Sequence, residues 1–294
     1  MVRLIMKHNR TFSFIIIALI YIFATICGIV VYRVLPLDSI WLRLLIADVA
    51  ATVFTFIFSV ILKNASVYDP YWSVQPIVIL VAFAITSSIS PVKILLLIAV
   101  CLWGIRLTAN WAYNFYSFEY QDWRYVMLRD KTGVLYPFVN FTGIHMVPTL
   151  VVYGCTLPAV YVMIQTPKFN LLTFIFLLQS ICAMLLQGSA DIQMHRFRKA
   201  KSQGRASGFI RTGLWKHSRH PNYLGEILMW WGIGLAAVFS LGFKWYFLAG
   251  AFANTLLFLI VSIPMADKRQ STKEGFAEYK KNTRMLLPVK RFKK

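Results

Sequence analysis

The sequence predicts an all-α protein, a polytopic transmembrane helical bundle of seven or eight spans. Hydrophobic residues occupy 58% of the 294 positions, 14% of residues are charged, and the mean hydropathy is +0.61. A soluble domain of this length would need more charge to cover its surface. Several windows of about 20 residues contain no charged residue, which is long enough to cross a hydrocarbon core roughly 30 Å thick. Lys and Arg are also distributed unevenly between the loops, as in membrane proteins.

The apolar windows define eight predicted spans. They lie near residues 11–32, 40–62, 74–90, 94–113, 143–164, 171–189, 223–242 and 245–264. The third is short and contains Pro76, so a bundle of seven core helices with one added N-terminal helix would look the same. The first follows a basic region with Arg3, Lys7 and Arg10, but it is longer than the apolar part of a signal peptide and lacks an A-x-A-like site. We therefore expect it to be a retained span.

The positive charge predicts the orientation of the bundle. With eight spans, 25 of the 31 Lys and Arg residues fall on the side that holds both termini. Because the side rich in Lys and Arg stays cytosolic, both termini are predicted to be cytosolic. The net charge of +20 then reflects topology and contact with membrane lipids, and it does not indicate a nucleic-acid partner. The expected location is a bacterial inner membrane or the endoplasmic reticulum.

The cysteines do not form a metal-binding or disulfide pattern. Cys27, Cys101, Cys155 and Cys182 each lie singly in an apolar span, without a C-x-x-C motif or another ligand at a suitable spacing. We interpret them as small core residues and expect no metal site.

Four charged residues lie inside predicted spans, where a charge is costly and often functional. Arg43 and Asp48 are five residues apart on one helix, so they could pair with each other or reach the membrane surface. Arg106 lies within about two turns of the predicted cytosolic end of its helix. Glu226 lies one turn into a span, where an unpaired carboxylate would cost several kcal/mol. We therefore expect Glu226 to be protonated or bound to a ligand, and Glu226→Leu to preserve stability.

The segment that contains Glu226 has the features of an anion site. Asn222 is the predicted N-cap of the span, and Glu226 follows four residues later on the same face. Unpaired N–H groups at a helix N-terminus favour a phosphate or carboxylate. Arg219 and His220 lie beside this helix end, and Tyr223 belongs to the same segment. A structural role in capping and anchoring is the alternative.

Further polar residues precede this segment. If the sixth span continues as a helix, Gln187, Asp191 and Arg198 lie on one stripe, and a glycine-containing loop with Arg205 and Arg211 follows. Such a loop could surround phosphate groups, although a basic loop beside a membrane is also an ordinary topological signal. Neither a G-x-G-x-x-G after a strand nor a GxxxxGK[ST] motif occurs in the sequence. The tail from 265 to 288 mixes charges with aromatic residues such as Tyr279, so we expect it to fold back over this loop.

These motifs resemble those of a known superfamily. Gly213-Leu214-Trp215 followed by the block Ser218–Glu226 resembles the C-terminal signature of steroid 5-alpha-reductases and sterol C14/delta-7 reductases, and the closing Glu278-Tyr279 and Arg284-x-x-x-Pro288 resemble the end of the same fold. Residues 69–72, 103–107 and 122–125 are similar to the branch known as domain of unknown function 1295. The resemblance implies an added N-terminal helix over 1–40 and a membrane domain over 41–294 with a cytosolic C-terminal cofactor region.

The resemblance also implies a cofactor, NADPH, held by the last helices and their loops. Asp191 and Arg198 match an Asp and an Arg that hold the cofactor, and Asn222 and Glu226 match the Asn and Glu of the signature. Gln187 stands where the family often has Asn. The full candidate set for the cofactor is Gln187, Asp191, Arg198, Arg205, Arg211, Arg219, His220, Asn222, Tyr223, Glu226 and Tyr279.

The implied reaction is the reduction of a C=C bond in a steroid, sterol or isoprenoid-like enone taken from the bilayer. A Tyr hydroxyl or a protonated carboxyl would stabilise the negative charge that develops on the carbonyl oxygen. Candidates for this catalytic role are Tyr71, Glu119 and Tyr125, together with Tyr68 and Asp69. One alternative is an S-adenosylmethionine-dependent methyltransferase of the isoprenylcysteine or phospholipid type, which shares an Arg-His-Pro-x-Tyr motif. The other is a non-enzymatic lipid-binding or scaffolding membrane protein. The sequence leaves the oligomeric state open.

Overall fold

The computed structural model describes residues 9–288, so Arg3 and Lys7 of the basic N-terminal region lie outside the described residues. Between residues 9 and 288 the chain forms helices and no strand, apart from an isolated β-bridge between Ser218 and Arg284. In chain order the α-helices are α1 (Arg10–Val34), α2 (Ile40–Ile61), α3 (Tyr71–Ile85), α4 (Pro91–Asn114), α5 (Trp123–Thr132), α6 (Tyr136–Val139), α7 (Val147–Ile164), α8 (Leu171–Ser202), α9 (Pro221–Leu241), α10 (Tyr246–Leu257), α11 (Ile263–Gln270) and α12 (Phe276–Asn282).

Shorter helical segments join several of these helices. Segments of 3-10 helix cover Ala65–Val67, Gly133–Leu135 and Gly213–Lys216, and π-helical segments cover Asn140–Met146 and Phe258–Ser262. In the described part of the chain, eight helical stretches are long and apolar enough to cross a membrane: Arg10–Val34, Ile40–Ile61, Ala65–Ile85, Pro91–Asn114, Trp123–Ile164, Leu171–Ser202, Pro221–Leu241 and Tyr246–Gln270. The predicted all-α, polytopic bundle is confirmed. The cytosolic location of the termini stays a prediction.

Two predicted spans have the wrong bounds. The third stretch covers Ala65–Ile85 and not 74–90, because Asn64 caps the 3-10 turn by accepting a hydrogen bond from the Ser66 backbone N–H at 2.8 Å. Pro76 is accommodated inside α3. The fifth stretch begins at Trp123 and not at 143, because the polar helix α5 continues through α6 and a π-helical segment into α7. The sixth span continues as a helix to Ser202, as the predicted stripe of Gln187, Asp191 and Arg198 requires.

The chain forms two compact units. The first contains residues up to 88 together with 103–160, and the second contains 89–102 together with the residues from 161 onward. In the first unit α1 packs on α2, and the Asn64 amide donates hydrogen bonds of 2.8 Å to the carbonyls of Phe118 and Tyr120. These bonds hold the loop after α4 against the 3-10 turn. The predicted division at residue 40 stays a prediction.

In the second unit α8 and α9 pack closely against each other. A Cβ atom on Gly225 would lie 2.7 Å from the Ala183 carbonyl oxygen, and one on Gly232 would lie 2.7 Å from the Phe176 carbonyl oxygen. Only glycine allows the two backbones to approach this closely, as in other membrane helix pairs. Ser180 Oγ on α8 donates a hydrogen bond of 3.0 Å to the Met229 carbonyl on α9. The close packing of α8 on α9 fixes the positions of the polar side chains that these two helices carry.

Two interpretations of residues inside the spans need correction. Arg43 and Asp48 do not pair with each other, since the Arg43 guanidinium lies 5.1 Å from the Tyr32 ring centroid and Asp48 accepts a hydrogen bond from Tyr71. The four cysteines are free, but only Cys155 is buried, and Cys182 is exposed. Cys182 is therefore not the core residue that its apolar surroundings suggested.

Candidate functional site

The N-terminal end of α9 is the centre of the polar region in the second unit. The helix begins at Pro221, and His220 occupies the N-cap position without a side-chain capping bond. The prediction that Asn222 is the N-cap is therefore wrong, because Pro221 needs no N–H partner and can start the helix itself. Asn222 lies in the first turn, and its buried Oδ1 atom accepts no hydrogen bond. A buried amide oxygen without a donor is an acceptor available to a ligand.

Arg219 and His220 are held by an acid that the sequence did not single out. The Asp267 carboxylate accepts hydrogen bonds of 3.0 Å from Arg219 Nη2 and 3.0 Å from His220 Nε2, and all three side chains are buried. Arg219 Nη1 also donates to the Thr283 carbonyl at 2.6 Å. The His220 ring stacks on Tyr223 with an interplanar angle of 4°. Both side chains therefore already have protein partners, and their role in binding an anion stays a prediction.

The C-terminal segment folds back over the loop after α8, as predicted. Ser218 and Arg284 form the isolated bridge, and the Arg219 N–H donates to the Arg284 carbonyl at 3.0 Å. The Tyr279 hydroxyl donates to the Trp215 carbonyl, and its ring lies 5.1 Å from that of Phe209. Burial raises the pKa of Tyr279 to about 12. Tyr279 therefore remains a neutral donor that joins the tail to the loop.

Glu226 also has protein partners. Its carboxylate accepts hydrogen bonds of 2.5 Å from Gln187 Nε2 on α8 and 2.9 Å from Trp230 Nε1 on α9, and its side chain is buried. Sequence spacing shows contacts along one helix and not contacts from its neighbour, so the bond from Gln187 was not expected. Gln187 retains a buried Oε1 atom with no hydrogen-bond partner. The role of both residues in binding a cofactor stays a prediction.

A cluster of four cations lies where α8 and α11 end. We call Arg198, Lys201, Arg269 and Lys273 the cation cluster. Burial lowers the pKa of Lys273 below its ordinary value, and repulsion from Lys201, Arg269 and Arg198 lowers it further. Such mutual repulsion favours the binding of a multiply charged anion. Only Arg198 belonged to the predicted set. The signal that could have found the other three is their position at helix ends, since Lys201 and Arg269 lie in the last turns of α8 and α11 and Lys273 lies three residues after α11.

The remaining predicted cofactor residues occupy different surroundings. Asp191 lies on the same helix as Gln187 and Arg198 and is partly buried. Arg205 is exposed and hydrogen-bonds to the side chain of Gln203, and the Arg211 guanidinium lies 5.8 Å from the Phe209 ring centroid. The structure thus places Arg205 and Arg211 in contacts of the loop itself and not in the cation cluster. Their role as phosphate ligands stays a prediction.

In the first unit the buried polar residues surround Tyr71. The Tyr71 hydroxyl donates to Asp48 Oδ1 at 3.2 Å, and Asp48 Oδ2 has no hydrogen-bond partner. Gln75, one turn after Tyr71, is 8% exposed, and its side chain interacts with Asp48 without forming a hydrogen bond of good geometry. Nearby, the Tyr68 hydroxyl bonds to Thr149 at 2.7 Å. Of the buried atoms of Asp48 and Gln75, only Gln75 Nε2 is a donor and could bind the carbonyl oxygen of a ligand, whereas Asp48 Oδ2 and Gln75 Oε1 are acceptors.

The other two catalytic candidates are not in this group. Glu119 is exposed in the loop between α4 and α5. Tyr125 is buried, and its hydroxyl donates to the Asp69 carboxylate. Glu119 therefore does not lie among the buried polar residues around Tyr71, and its catalytic role stays a prediction. Gln75 was missed, although its spacing of four residues from Tyr71 on one helix was the available signal.

Comparison with known proteins identifies the family. A family model described as "Protein of unknown function (DUF1295)" matches residues 55–283. The chain belongs to the DUF1295 family. The uncharacterized protein C594.04c of Schizosaccharomyces pombe (strain 972 / ATCC 24843) is 28% identical over 198 residues, which cover 58% of this chain and 57% of that protein. The chain thus spans just over half the length of this relative. No solved structure gives a significant match.

The DUF1295 match includes both groups of polar residues but not every member. It covers Tyr71 and Gln75 in the first unit and the residues from Gln187 to Tyr279 in the second. Helix α1 and Asp48 lie before its first residue. The match confirms the predicted DUF1295 resemblance.

Proposed function

We propose that this protein is a membrane-embedded, NADPH-dependent reductase of a C=C bond conjugated to a carbonyl group in a lipid. The observation that carries the proposal is the cation cluster, which gathers four cationic side chains from the ends of α8 and α11 and from the loop after α11. Burial lowers the pKa of Lys273, and repulsion from Lys201, Arg269 and Arg198 lowers it further. NADPH carries three phosphate groups and would relieve this repulsion. S-adenosylmethionine is cationic at sulfur and would not, so the cation cluster favours the reductase over the methyltransferase.

The residues of the second unit fit NADPH at two places. The cation cluster would hold its phosphate groups through charge-assisted hydrogen bonds. The unpartnered Oδ1 atom of Asn222 would accept a hydrogen bond from the nicotinamide carboxamide. Gln187 and Glu226 support this end of α9 by joining it to α8.

The residues of the first unit fit the carbonyl group of the substrate. NADPH would supply the hydride for the reduction of an enone, a reaction in which negative charge develops on the carbonyl oxygen. The Tyr71 hydroxyl would turn its single proton from Asp48 Oδ1 to that oxygen, and Gln75 Nε2 would donate a second hydrogen bond to it. A proton from water completes the reduction at the α-carbon and leaves NADP⁺. The surrounding apolar helices exclude bulk water, which strengthens these hydrogen bonds.

The test measures NADPH oxidation by the purified protein with a panel of lipid enones that includes steroid 4-en-3-ones and isoprenoid enones. Tyr71→Phe should lower turnover by about 100- to 1000-fold, the usual effect of removing one donor to a developing oxyanion. Its NADPH affinity should remain unchanged. Tyr116→Phe makes the same substitution at an exposed tyrosine in the loop that follows α4, and it serves as the matched control for Tyr71→Phe.

Two outcomes would contradict the proposal. One is methyl transfer from S-adenosylmethionine to a lipid acceptor without NADPH oxidation by any enone. The other is the binding of neither cofactor, which the non-enzymatic alternative predicts.

A further inference from the structure

A cavity beside α11 is separate from the residues assigned to NADPH. Its volume is about 430 Å³, and it is lined by Arg219, Ile263, Pro264, Asp267, Lys268, Ser271, Lys280 and Met285. Four of these residues lie along one face of the helical segment, because they are spaced three, one and three residues apart. They are Pro264, Asp267, Lys268 and Ser271. Arg269 of the cation cluster lies two residues after Asp267, so it is rotated by about 200° from Asp267, to the opposite side of the helix. The cavity and the cation cluster therefore lie on different faces of this segment.

The charges that line the cavity favour an anion. Three cationic side chains, Arg219, Lys268 and Lys280, face one carboxylate, that of Asp267. The Asp267 oxygens are already 3.0 Å from Arg219 and 3.0 Å from His220, and Lys280 Nζ is 3.9 Å away. Arg219 is 7% exposed, and its Nε atom has no hydrogen-bond partner. An anion in the cavity would balance the excess positive charge.

The position of the cavity favours an anion that is attached to a lipid. α11 is the end of the last candidate span, Tyr246–Gln270, so the cavity lies where the chain leaves the apolar part of that span. Ile263, Pro264 and Met285 form its apolar lining, and Lys268 lies one turn beyond Pro264. Leu287, two residues after Met285, is 58% exposed. A change from apolar to cationic surface over one helical turn matches the change from acyl chains to phosphate at a membrane surface.

We propose that this cavity binds the headgroup phosphate of an anionic phospholipid. Lys268 and Lys280 bind the phosphate, the buried Arg219 supplies positive charge beneath it, and the apolar lining contacts the upper part of the acyl chains. The lipid covers the buried ion pairs that join the C-terminal segment to the start of α9. This proposal does not depend on the reductase activity.

The test measures lipid binding to the full-length protein in detergent by native mass spectrometry. The probes are dioctanoyl phosphatidylglycerol, dioctanoyl phosphatidylcholine and inorganic phosphate. We expect one phosphatidylglycerol to bind more tightly than phosphatidylcholine, and inorganic phosphate not to displace it at equal concentration. The double variant Lys268→Gln/Lys280→Gln should lower phosphatidylglycerol affinity by about 25-fold, since each Lys near an anionic lipid contributes about five-fold. Lys199→Gln/Lys216→Gln removes two exposed lysines outside the cavity and should bind normally.

A second measurement distinguishes the lipid from the cofactor as the source of the phosphate. The Lys268→Gln/Lys280→Gln variant should bind NADPH within about two-fold of the wild-type affinity, a change smaller than that of one hydrogen bond. Loss of NADPH binding with unchanged phosphatidylglycerol binding would assign the cavity to the cofactor and overturn the proposal. Equal binding of phosphatidylglycerol by the variant and the wild type would also overturn it, as would full displacement by inorganic phosphate. Because Lys268 and Lys280 are exposed, the helical content of the variant should not change.

Discussion

Replacing Glu226 by Leu should destabilise the protein, even though it removes a charge from an apolar helix. The Glu226 carboxylate accepts hydrogen bonds of 2.5 Å from Gln187 and 2.9 Å from Trp230, and it is 3% exposed. Leu leaves both donors buried without a partner, and each such group costs about 1–3 kcal/mol. The expected loss is therefore about 2–6 kcal/mol of unfolding free energy. This replaces the sequence-based expectation that Glu226→Leu preserves stability.

The assay for this loss is unfolding in detergent without added ligand. Glu226→Gln should be milder, because Gln187 can rotate its amide and offer its unpartnered Oε1 atom to the new donor. The triple variant Glu226→Leu/Gln187→Leu/Trp230→Phe should recover part of the loss, since replacing all polar partners by apolar groups removes the unsatisfied donors. If Glu226→Leu unfolds at the same midpoint as the wild type, these hydrogen bonds do not stabilise the contact between α8 and α9.

Three further predictions concern the ion pairs, the topology and the cation cluster. Asp267→Ala should lower the unfolding free energy by about 3–5 kcal/mol, because it leaves the buried Arg219 uncompensated, and limited proteolysis should then cleave the C-terminal segment sooner. Cysteines introduced at Lys244 and Ser202 should react with impermeant reagents from the outside and the inside respectively, and labelling at Ser202 from outside would contradict the orientation. NADPH affinity should fall as the pH rises through the lowered pKa of Lys273, starting below the ordinary lysine value of about 10.4, and Lys273→Gln should remove this dependence in titration calorimetry.

The fold was predictable because a membrane imposes one simple requirement. Any span must present about 20 apolar residues, and this requirement is visible in the sequence alone. The bounds of the third and fifth spans were not predictable in the same way. The third depends on the Asn64 cap, and the fifth depends on a π-helical segment that joins polar α5 to apolar α7. Both are local features that hydropathy does not measure.

The residues of the candidate site could be predicted where they lie together in one segment of the sequence. They could not be predicted where they meet only through the packing of distant segments. Asn222 and Glu226 lie in a motif of nine consecutive residues, Ser218–Glu226, which the sequence displays directly. Asp267 contacts Arg219 and His220 from 48 and 47 residues away, so only the folded chain shows its importance. Gln187 was identified from its helical stripe, but its bond to Glu226 depends on the close approach that Gly225 permits.

The central claim is that the cation cluster of the second unit binds NADPH. Titration calorimetry of the purified protein with NADPH, NADH and S-adenosylmethionine tests it most directly. NADPH should bind most tightly, because its 2′-phosphate adds a charged contact to Arg198 and its neighbours, and Arg198→Gln should weaken NADPH binding by about 10-fold or more. Tight binding of S-adenosylmethionine together with no binding of NADPH would contradict the claim.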